Sequence, residues 1–359
     1  MRTTKGVSRG RVSKSFLSGN LYRVKFGDGH AQLHRRVVED EAGRSAGKQT
    51  VSAVSLVQQI ALRGLVLLLL CGCACHERPV SGPRMSQPRA ARELRVMTFN
   101  LRVRTILDGP NLWDFRRELV VQRVRAFDPD LLGTQEVLDS MEIFLRERLG
   151  DYTFVGAGRS DGKRRGEMCG LFFKTARFEL LGDGHFWLST TPEKPGSRGW
   201  GAISPHMVMW VKLRSRDGGP TFFWFNTHFD AFSGRARTES AKLLRDRMVQ
   251  ITASTPYVVT GDFNSSPASI PYRTLLADPA STAPLPQDVF RVAHPIARRN
   301  EGTFHLFTGW TGGRRIDWIL ASPHFQTITA EIDRTRGPCG YPSDHFPLIA
   351  RLRTQIRKM

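Results

Sequence analysis

Cysteine is scarce outside one short stretch. Three of the five cysteines stand at positions 71, 73 and 75, which leaves Cys169 and Cys339 for the rest of the 359 residues. Two such distant thiols exclude a disulfide-stapled miniature scaffold, and no Cys-x-x-Cys pair offers a structural zinc site. Both are expected as packing residues. No apolar run approaches the ~20 residues that a membrane-spanning helix needs, and no sequence repeat at a fixed period points to a solenoid or propeller. Acidic residues are few, 33 against 53 Lys and Arg, for a formal charge of +20. The excess is uneven: residues 1–95 hold 17 basic and 6 acidic side chains, leaving 36 and 27 beyond them. The remaining surplus favours anionic partners, phosphates and nucleic acid among them, without selecting one.

The segment ALRGLVLLLLCGCAC, residues 61–75, sets a short leucine-rich run between an arginine and small residues. That is the make-up of a signal-peptide core, and Leu70, Cys71, Gly72 and Cys73 resemble a bacterial lipobox. The expectation is an exported protein with residues 54–75 as signal peptide and Cys73 as the site of a lipid anchor. Residues 1–53, rich in Arg, Ser and Gly, show no sustained period and are expected as a disordered extension or one preceding the true start near Val51 or Val54. Residues 76–93, with three prolines and no apolar period, suit a tether.

From Leu94 onward the pattern changes. Leu94 to Phe99 alternate as a strand ending in Asn100, and the apolar positions 112, 115, 119, 120, 124 and 127 predict an amphipathic helix. LLGTQEV reads as a strand leading to Glu136, and SMEIFLRERLG as a helix capped by Ser140 and stopped at Gly150. The middle turns to strands: YTFVGAG, CGLFFK, FELLGDGHFWLS, HMVMWVKLRS and TFFWFNTHF. A helix over 237–252, the strand YVVTGDFN, a short helix in PYRTLLA, and the strands RIDWILAS and HFPLIARLR complete the order. Alternating elements at both ends of a strand-rich middle predict an α/β domain of two packed mixed sheets with helices outside.

One feature recurs along these strands. An apolar run ends in an acid, amide or histidine at Asn100, Glu136, His228, Asp262 with Asn264, Asp317, and Asp344 with His345. Any one of these is explained by turn chemistry, GDFNSSP included. All of them together describe one rim where loops assemble a site on a rigid sheet. Carboxylate and amide oxygens suit Mg2+ or Mn2+ rather than zinc, and histidines near acids can move protons or stabilise charge. Phosphate-ester hydrolysis needs this combination.

In order along the chain, MTFNLR, GTQEV, FNTHFD, TGDFNSSP, RIDWIL and YPSDHFP resemble the motifs of the endonuclease/exonuclease/phosphatase superfamily. The resemblance covers residues 94–353. It implies a four-layer α/β sandwich and a divalent-metal phosphoester hydrolase with Mg2+ or Mn2+ as cofactor. It further implies that Asn100, Glu136 and Asp344 belong to the metal site, with Glu136 a direct ligand. His228 matches the histidine that contacts the scissile phosphate, and Glu167 the acid that orients it. Asp262 and Asn264 match the pair that positions water and phosphate, and Asp317 the acid that pairs with His345. His206 and Gly201 depart from the pattern, standing where an arginine and an acid are common. His185, His294, His305 and His324 lie outside the motifs and are expected to be structural or at the surface.

The substrate stays open. A phosphodiesterase or nuclease is favoured by complete motifs and positive charge, with a phosphomonoesterase on a sugar, inositol or lipid phosphate as the alternative. A surface-anchored binding protein without turnover is a third reading, disfavoured because the acids and histidines are all retained. Trp200 and Trp310 are candidates for stacking on a base or sugar, whereas Trp318 lies inside a strand and is expected in the core.

Overall fold

The computed structural model describes residues 93–276 and 285–355, together with the strands Phe16–Leu17 (β1), Asn20–Gly27 (β2) and His30–Arg35 (β3). The expected signal segment, Cys73 and all but the last residue of the tether lie outside the described residues. The chain divides into two units, Met1–Ala74 and Cys75–Met359. In the first, β1, β2 and β3 form an antiparallel sheet in which Gly27 pairs with His30. These strands fall where the sequence shows no sustained period. A more local signal is there: Asp28-Gly29, between the paired residues, is a dipeptide that favours a two-residue hairpin connection.

In the second unit two six-stranded sheets pack face to face. One contains Glu93–Asn100 (β4), Leu131–Val137 (β5), Tyr152–Val155 (β6), Met168–Lys174 (β7), Phe325–Ile332 (β14) and Leu348–Thr354 (β15), in the order β14-β15-β4-β5-β7-β6. The other contains Phe178–Trp187 (β8), Met207–Ser215 (β9), Thr221–His228 (β10), Tyr257–Asp262 (β11), Gln287–Asp288 (β12) and Asp317–Ala321 (β13), in the order β12-β13-β11-β10-β9-β8. Each sheet is antiparallel except for one parallel pair, β4 with β5 and β10 with β11. A parallel pair needs a crossover, supplied by helix α1 (Trp113–Phe127) in one sheet and α3 (Gly234–Thr252) in the other.

Three apolar layers hold the sandwich together. Val96, Leu131, Leu171, Trp224, Val258 and Leu348 meet between the sheets. Their chain neighbours turn outward: Met97 and Leu132 pack under α1 and α2 (Asp139–Arg148), and Val259 packs under α3 and α4 (Ile270–Leu276). Strands covered on both faces read as continuous apolar runs, as YVV and LL do here. The architecture is the expected four-layer α/β sandwich.

A buried polar network crosses the inter-sheet core. Gln135 Nε2 donates to Asn226 Oδ1 at 2.8 Å, and Asn226 Nδ2 donates to the carbonyls of Thr134 at 2.8 Å and Gly170 at 3.0 Å. Thr260 Oγ1 reaches Asn226 Oδ1 at 3.0 Å and accepts from Trp224 Nε1 at 3.0 Å. The sheets approach so closely here that a Cβ on Gly133 would lie 2.3 Å from Thr260 Oγ1. Paired polar groups in a low-dielectric core favour one register; within this network Gln135 Oε1 alone is left without a partner.

Several local expectations are corrected. In α1 the buried face is Trp113, Arg116, Val120 and Val124, while Phe115 is 56% exposed. The face is rotated because Arg116 is drawn inward by backbone carbonyls. α2 starts at Asp139 after Leu138, with no side-chain cap, so Ser140 lies within the helix and does not cap it. The strand β14, the two-residue β12 and helix α5 (Val289–Ala293) were not expected. Asp288 caps α5 by accepting from the amides of Phe290 and Arg291. Cys169 is a buried free thiol, but Cys339 is exposed rather than packed. Trp318 is fully buried, stacked on Phe263 at 4.3 Å.

Candidate active site

The two parallel pairs place the site. Their register sets Asn100 beside Gln135 and His228 beside Asp262, and antiparallel pairing sets Asp262 beside Asp317. Polar residues that end strands in the sequence therefore end them at a common edge, as ligand sites in open α/β sheets do.

Asn100 links the halves: its Nδ2 donates to Glu136 Oε1 at 2.9 Å and to Asp262 Oδ2 at 3.0 Å. Glu136 Oε2 accepts from the Val103 amide at 2.7 Å. Glu136 sits at a register shift between Thr134 and Val137, with φ of 61°. Arg102 and Asn264 also have positive φ, 57° and 47°. Side chains other than Gly enter this region at a penalty of about 1–2 kcal/mol, and such strain gathers where geometry serves a site. The Asn100 to Val103 loop is tied to the Asp344 loop by Ser343 Oγ, which donates to Asn100 O at 2.6 Å.

The two site histidines sit in opposite surroundings. His345 Nδ1 donates to Asp317 Oδ2 at 2.9 Å, and its Nε2 lies 3.8 Å from Asp262 Oδ2. Burial opposes the charged imidazole, but Asp317 and Asp262 outweigh burial and push its pKa up to about 10. His228 is driven down to about 3, chiefly by burial. It is therefore neutral near pH 7, and its Nε2 accepts from Asn264 Nδ2 at 3.1 Å. Asn264 Nδ2 also donates to Phe229 O at 2.9 Å, while its backbone amide donates to Asp262 Oδ1 at 2.9 Å.

The carboxylates respond to crowding. Asp262 is raised to about 7 by burial and by Asp317, and burial raises Asp344. Burial acts in the same direction on Glu136, but neighbouring imidazole charge and hydrogen bonds from Asn100 and Val103 reverse it, for a net lowering. Glu167, raised to about 7 by burial, shares a small cavity with Glu136, Arg159, His206 and His228. Its hydrogen bond goes to Arg159 Nη2 at 2.5 Å, so the expected orienting contact to His228 is replaced by an ion pair beside it. Among the described residues the acids and histidines able to converge on one ion are Asp262, Asp317 and His345, with donor atoms within 4.8 Å of one another. His345 Nδ1 is already committed to Asp317, and a protonated ring cannot ligate. Glu136 and Asp344, with Asn100 beside them, leave oxygen donors at the same edge, a set that fits a hard divalent cation.

The family model for the endonuclease/exonuclease/phosphatase family matches residues 97–345, which span this whole edge. The chain belongs to that family. Nocturnin from Rattus norvegicus is 25% identical over 282 residues, covering 71% of this chain and 63% of its own length. The chain thus spans under two thirds of that relative. The Aspergillus niger 3'-5'-exoribonuclease subunit Ccr4 of the CCR4-Not complex is 25% identical over 299 residues, 66% of this chain and 46% of its own. Among solved structures, an endonuclease/exonuclease/phosphatase from Bacteroides vulgatus aligns with a TM-score of 0.68 at 33% identity, over 73% of this chain and 99% of its own. The mannosyl-6-phosphatase of Bacteroides thetaiotaomicron aligns with a TM-score of 0.66 at 31% identity, over 72% and 99%. Family members such as these are phosphoester hydrolases with a general dependence on divalent metal.

Some site residues escape the motif pattern. Arg102 binds Asp108 at 2.9 Å and lies 3.8 Å from Asp344 Oδ2; it stands within MTFNLR, but nothing in its spacing shows that it turns toward the acids. Arg116 is buried, and its guanidinium donates to the carbonyls of Leu101 (2.5 Å), Arg102 (2.7 Å) and Pro342 (2.8 Å). It thereby ties the loop that follows Asn100 to the loop that carries Asp344. His206, standing where an arginine is common, is buried, with Nδ1 donating to His228 O at 2.8 Å and Nε2 3.4 Å from Asp230. It holds the His228 backbone. His305 is buried and stacks on Phe346 at 3.8 Å, a packing role.

Proposed function

We propose that the second unit is a divalent-metal-dependent phosphodiesterase of the nuclease kind, using Mg2+ or Mn2+. The observation that carries the reading is the Asp317–His345 pair beside Asp262, with neutral His228 and Asn264 on the same edge. A bound cation would neutralise phosphoryl oxygens, with Glu136 and Asp344 holding it and Asn100 positioning both Glu136 and Asp262. Asp262, its oxygens oriented by Asn100 and the Asn264 amide, directs a water at phosphorus and takes its proton as the opposite phosphorus–oxygen ester bond breaks, the leaving oxygen departing to take a proton from solvent. His345, charged through Asp317, faces developing negative charge on the phosphoryl group. Asn264 and His228 hold the phosphate with neutral groups.

Names carried by relatives support this choice in part. The exoribonuclease subunit acts on a phosphodiester polymer, and the surplus of basic residues favours an anionic substrate. The mannosyl-6-phosphatase, 31% identical, supports the second reading, a phosphomonoesterase. Hydrolysis of bis-p-nitrophenyl phosphate against p-nitrophenyl phosphate with Mg2+ or Mn2+ separates them: a faster diester supports the proposal, and a faster monoester replaces it with the second reading. Export with a lipid on Cys73 is proposed for location, and labelling of the protein by radioactive palmitate, abolished in Cys73→Ala, checks it.

A further inference from the structure

Arg102 stands between two acids. Its guanidinium forks onto Asp108, with Nη2 donating to Oδ1 at 2.9 Å and Nε to Oδ2 at 3.1 Å. The same Nε lies 3.8 Å from Oδ2 of Asp344, one of the two acids assigned to the cation.

The place of this charge is built from the backbone outward. Arg102 has a φ of 57°, which a side chain other than Gly rarely adopts. Its amide donates to Asn100 Oδ1 at 2.9 Å and its carbonyl accepts from Arg116 Nη2 at 2.7 Å, so the backbone that launches the side chain is held from both ends. Asp108 is fixed as well. The segment Ile106–Asn111 that carries it is otherwise turned to solvent, with Ile106 86% and Leu107 87% exposed, yet the Asp108 side chain is only 7% exposed. A carboxylate so covered needs a partner, and Arg102 supplies its side-chain hydrogen bonds.

The sign of the charges decides what the arrangement does. Arg102 carries a permanent positive charge, close enough to act on the carboxylate that would hold a divalent cation. Two cations drawn to one carboxylate repel each other, so Arg102 lowers the affinity of Asp344 for metal. Asp108 works the other way. By taking the fork of the guanidinium it offsets that charge and keeps it beyond hydrogen-bond distance of Asp344.

We propose, resting on the reading of Glu136 and Asp344 as the acids that hold the cation, that Arg102 is a positioning residue which competes with the cation for Asp344, and that Asp108 restrains it. The pair sets how tightly the site takes its metal.

Binding of Mn2+ to the chelator-treated full chain tests this, read by electron paramagnetic resonance of the free ion and needing no turnover. Arg102→Met removes the competitor and should tighten Mn2+ binding about ten-fold, the lower end of what groups beside a metal ligand are worth. Asp108→Asn removes the restraint and should weaken binding about ten-fold. Arg102→Met/Asp108→Asn leaves no covered acid without its partner and should bind more tightly than wild type, since the competitor is gone with its restraint. Where Arg102→Met alone unfolds, the double variant carries the comparison. A pair that serves only to hold the loop would give the opposite pattern: each single variant would bind more weakly, and the double variant would not recover. That pattern overturns the proposal, as does an Asp108→Asn variant that binds as wild type does, or a set in which neither variant lacking Arg102 binds more tightly. Asp344→Asn separates this failure from that of the metal site. If it weakens Mn2+ binding while the other variants follow the loop pattern, the competition fails and the metal site stands. If it binds as wild type does, or if wild type binds no Mn2+, the metal-site reading falls and the competition with it.

Discussion

His345 and Asp317 are joined by a hydrogen bond of 2.9 Å between Nδ1 and Oδ2 at the edge of the second sheet. The contact exists because β13 begins at Asp317 directly beside Asp262 at the end of β11, while the turn after β14 returns the chain through Asp344 and His345. Two acids near one buried imidazole keep it charged, and the charge faces the place where a phosphoryl group would gather electrons.

Replacing Asp317 by Asn removes the main charge that holds the proton on His345. The His345 pKa, near 10 in the native chain, should fall toward the ordinary histidine range, and turnover should fall by about 10²–10⁴, the usual worth of a positioned acid or base. Because its folded pKa is raised, the charged His345 ring stabilises the fold. The stabilisation is complete below about 6.5, the unfolded value, and is lost as pH rises through about 10. NMR titration of the His345 ring checks the shift, and an unchanged titration in Asp317→Asn would contradict the pairing.

His228 works in the opposite direction. Its folded pKa of about 3 lies below the unfolded one, so the unfolded chain binds the extra proton between these values. Stability should therefore fall as pH drops from about 6.5 toward 3, by up to about 1.4 kcal/mol per pH unit from this residue. Urea unfolding from pH 6.5 to 4.5 should show a shallower loss in His228→Gln than in wild type. Parallel slopes would mean that His228 is not held neutral.

Arg116 tests whether the loop after Asn100 and the loop that carries Asp344 are held together from below. In Arg116→Met the carbonyls of Leu101, Arg102 and Pro342 lose their common donor, at about 1–3 kcal/mol for each group left buried and unpaired. Thermal unfolding should move down by several degrees, and metal activation should need a higher concentration. Arg116→Lys should not rescue either, since one ammonium cannot reproduce the planar fork.

How much of this was legible in the sequence depends on the range of the interaction. The polar ends of strands at Asn100, Glu136, His228, Asp262, Asp317 and Asp344 are readable because a strand's apolar run and its last residue lie within a few positions. Two packed mixed sheets with helices outside are readable from the order of elements, and the four-layer sandwich from the family resemblance. Arg116 is not: it occupies a helical position that propensity treats as solvent-facing, and its burial is explained by carbonyls outside the helix, those of Leu101, Arg102 and the distant Pro342. The same holds for Glu167, whose partner is decided by where Arg159 folds back, and for β14, whose mixed sequence FQTITAEI carries little apolar signal and buries Phe325, Ala330 and Ile332 alone.

Glu136→Gln keeps the shape of the side chain and removes its charge. The concentration of Mg2+ or Mn2+ giving half-maximal activity should rise at least ten-fold, with a melting midpoint in the metal-free protein close to wild type. A metal titration that coincides with wild type would remove Glu136 from the metal site.

The most direct test is the rate of bis-p-nitrophenyl phosphate hydrolysis by the full chain with Mn2+, set against the same protein with chelator and against His345→Ala. The account predicts measurable turnover that disappears with chelator and falls by orders of magnitude in His345→Ala while the fold persists. Turnover that survives both would contradict a metal-dependent site centred on Asp262 and His345.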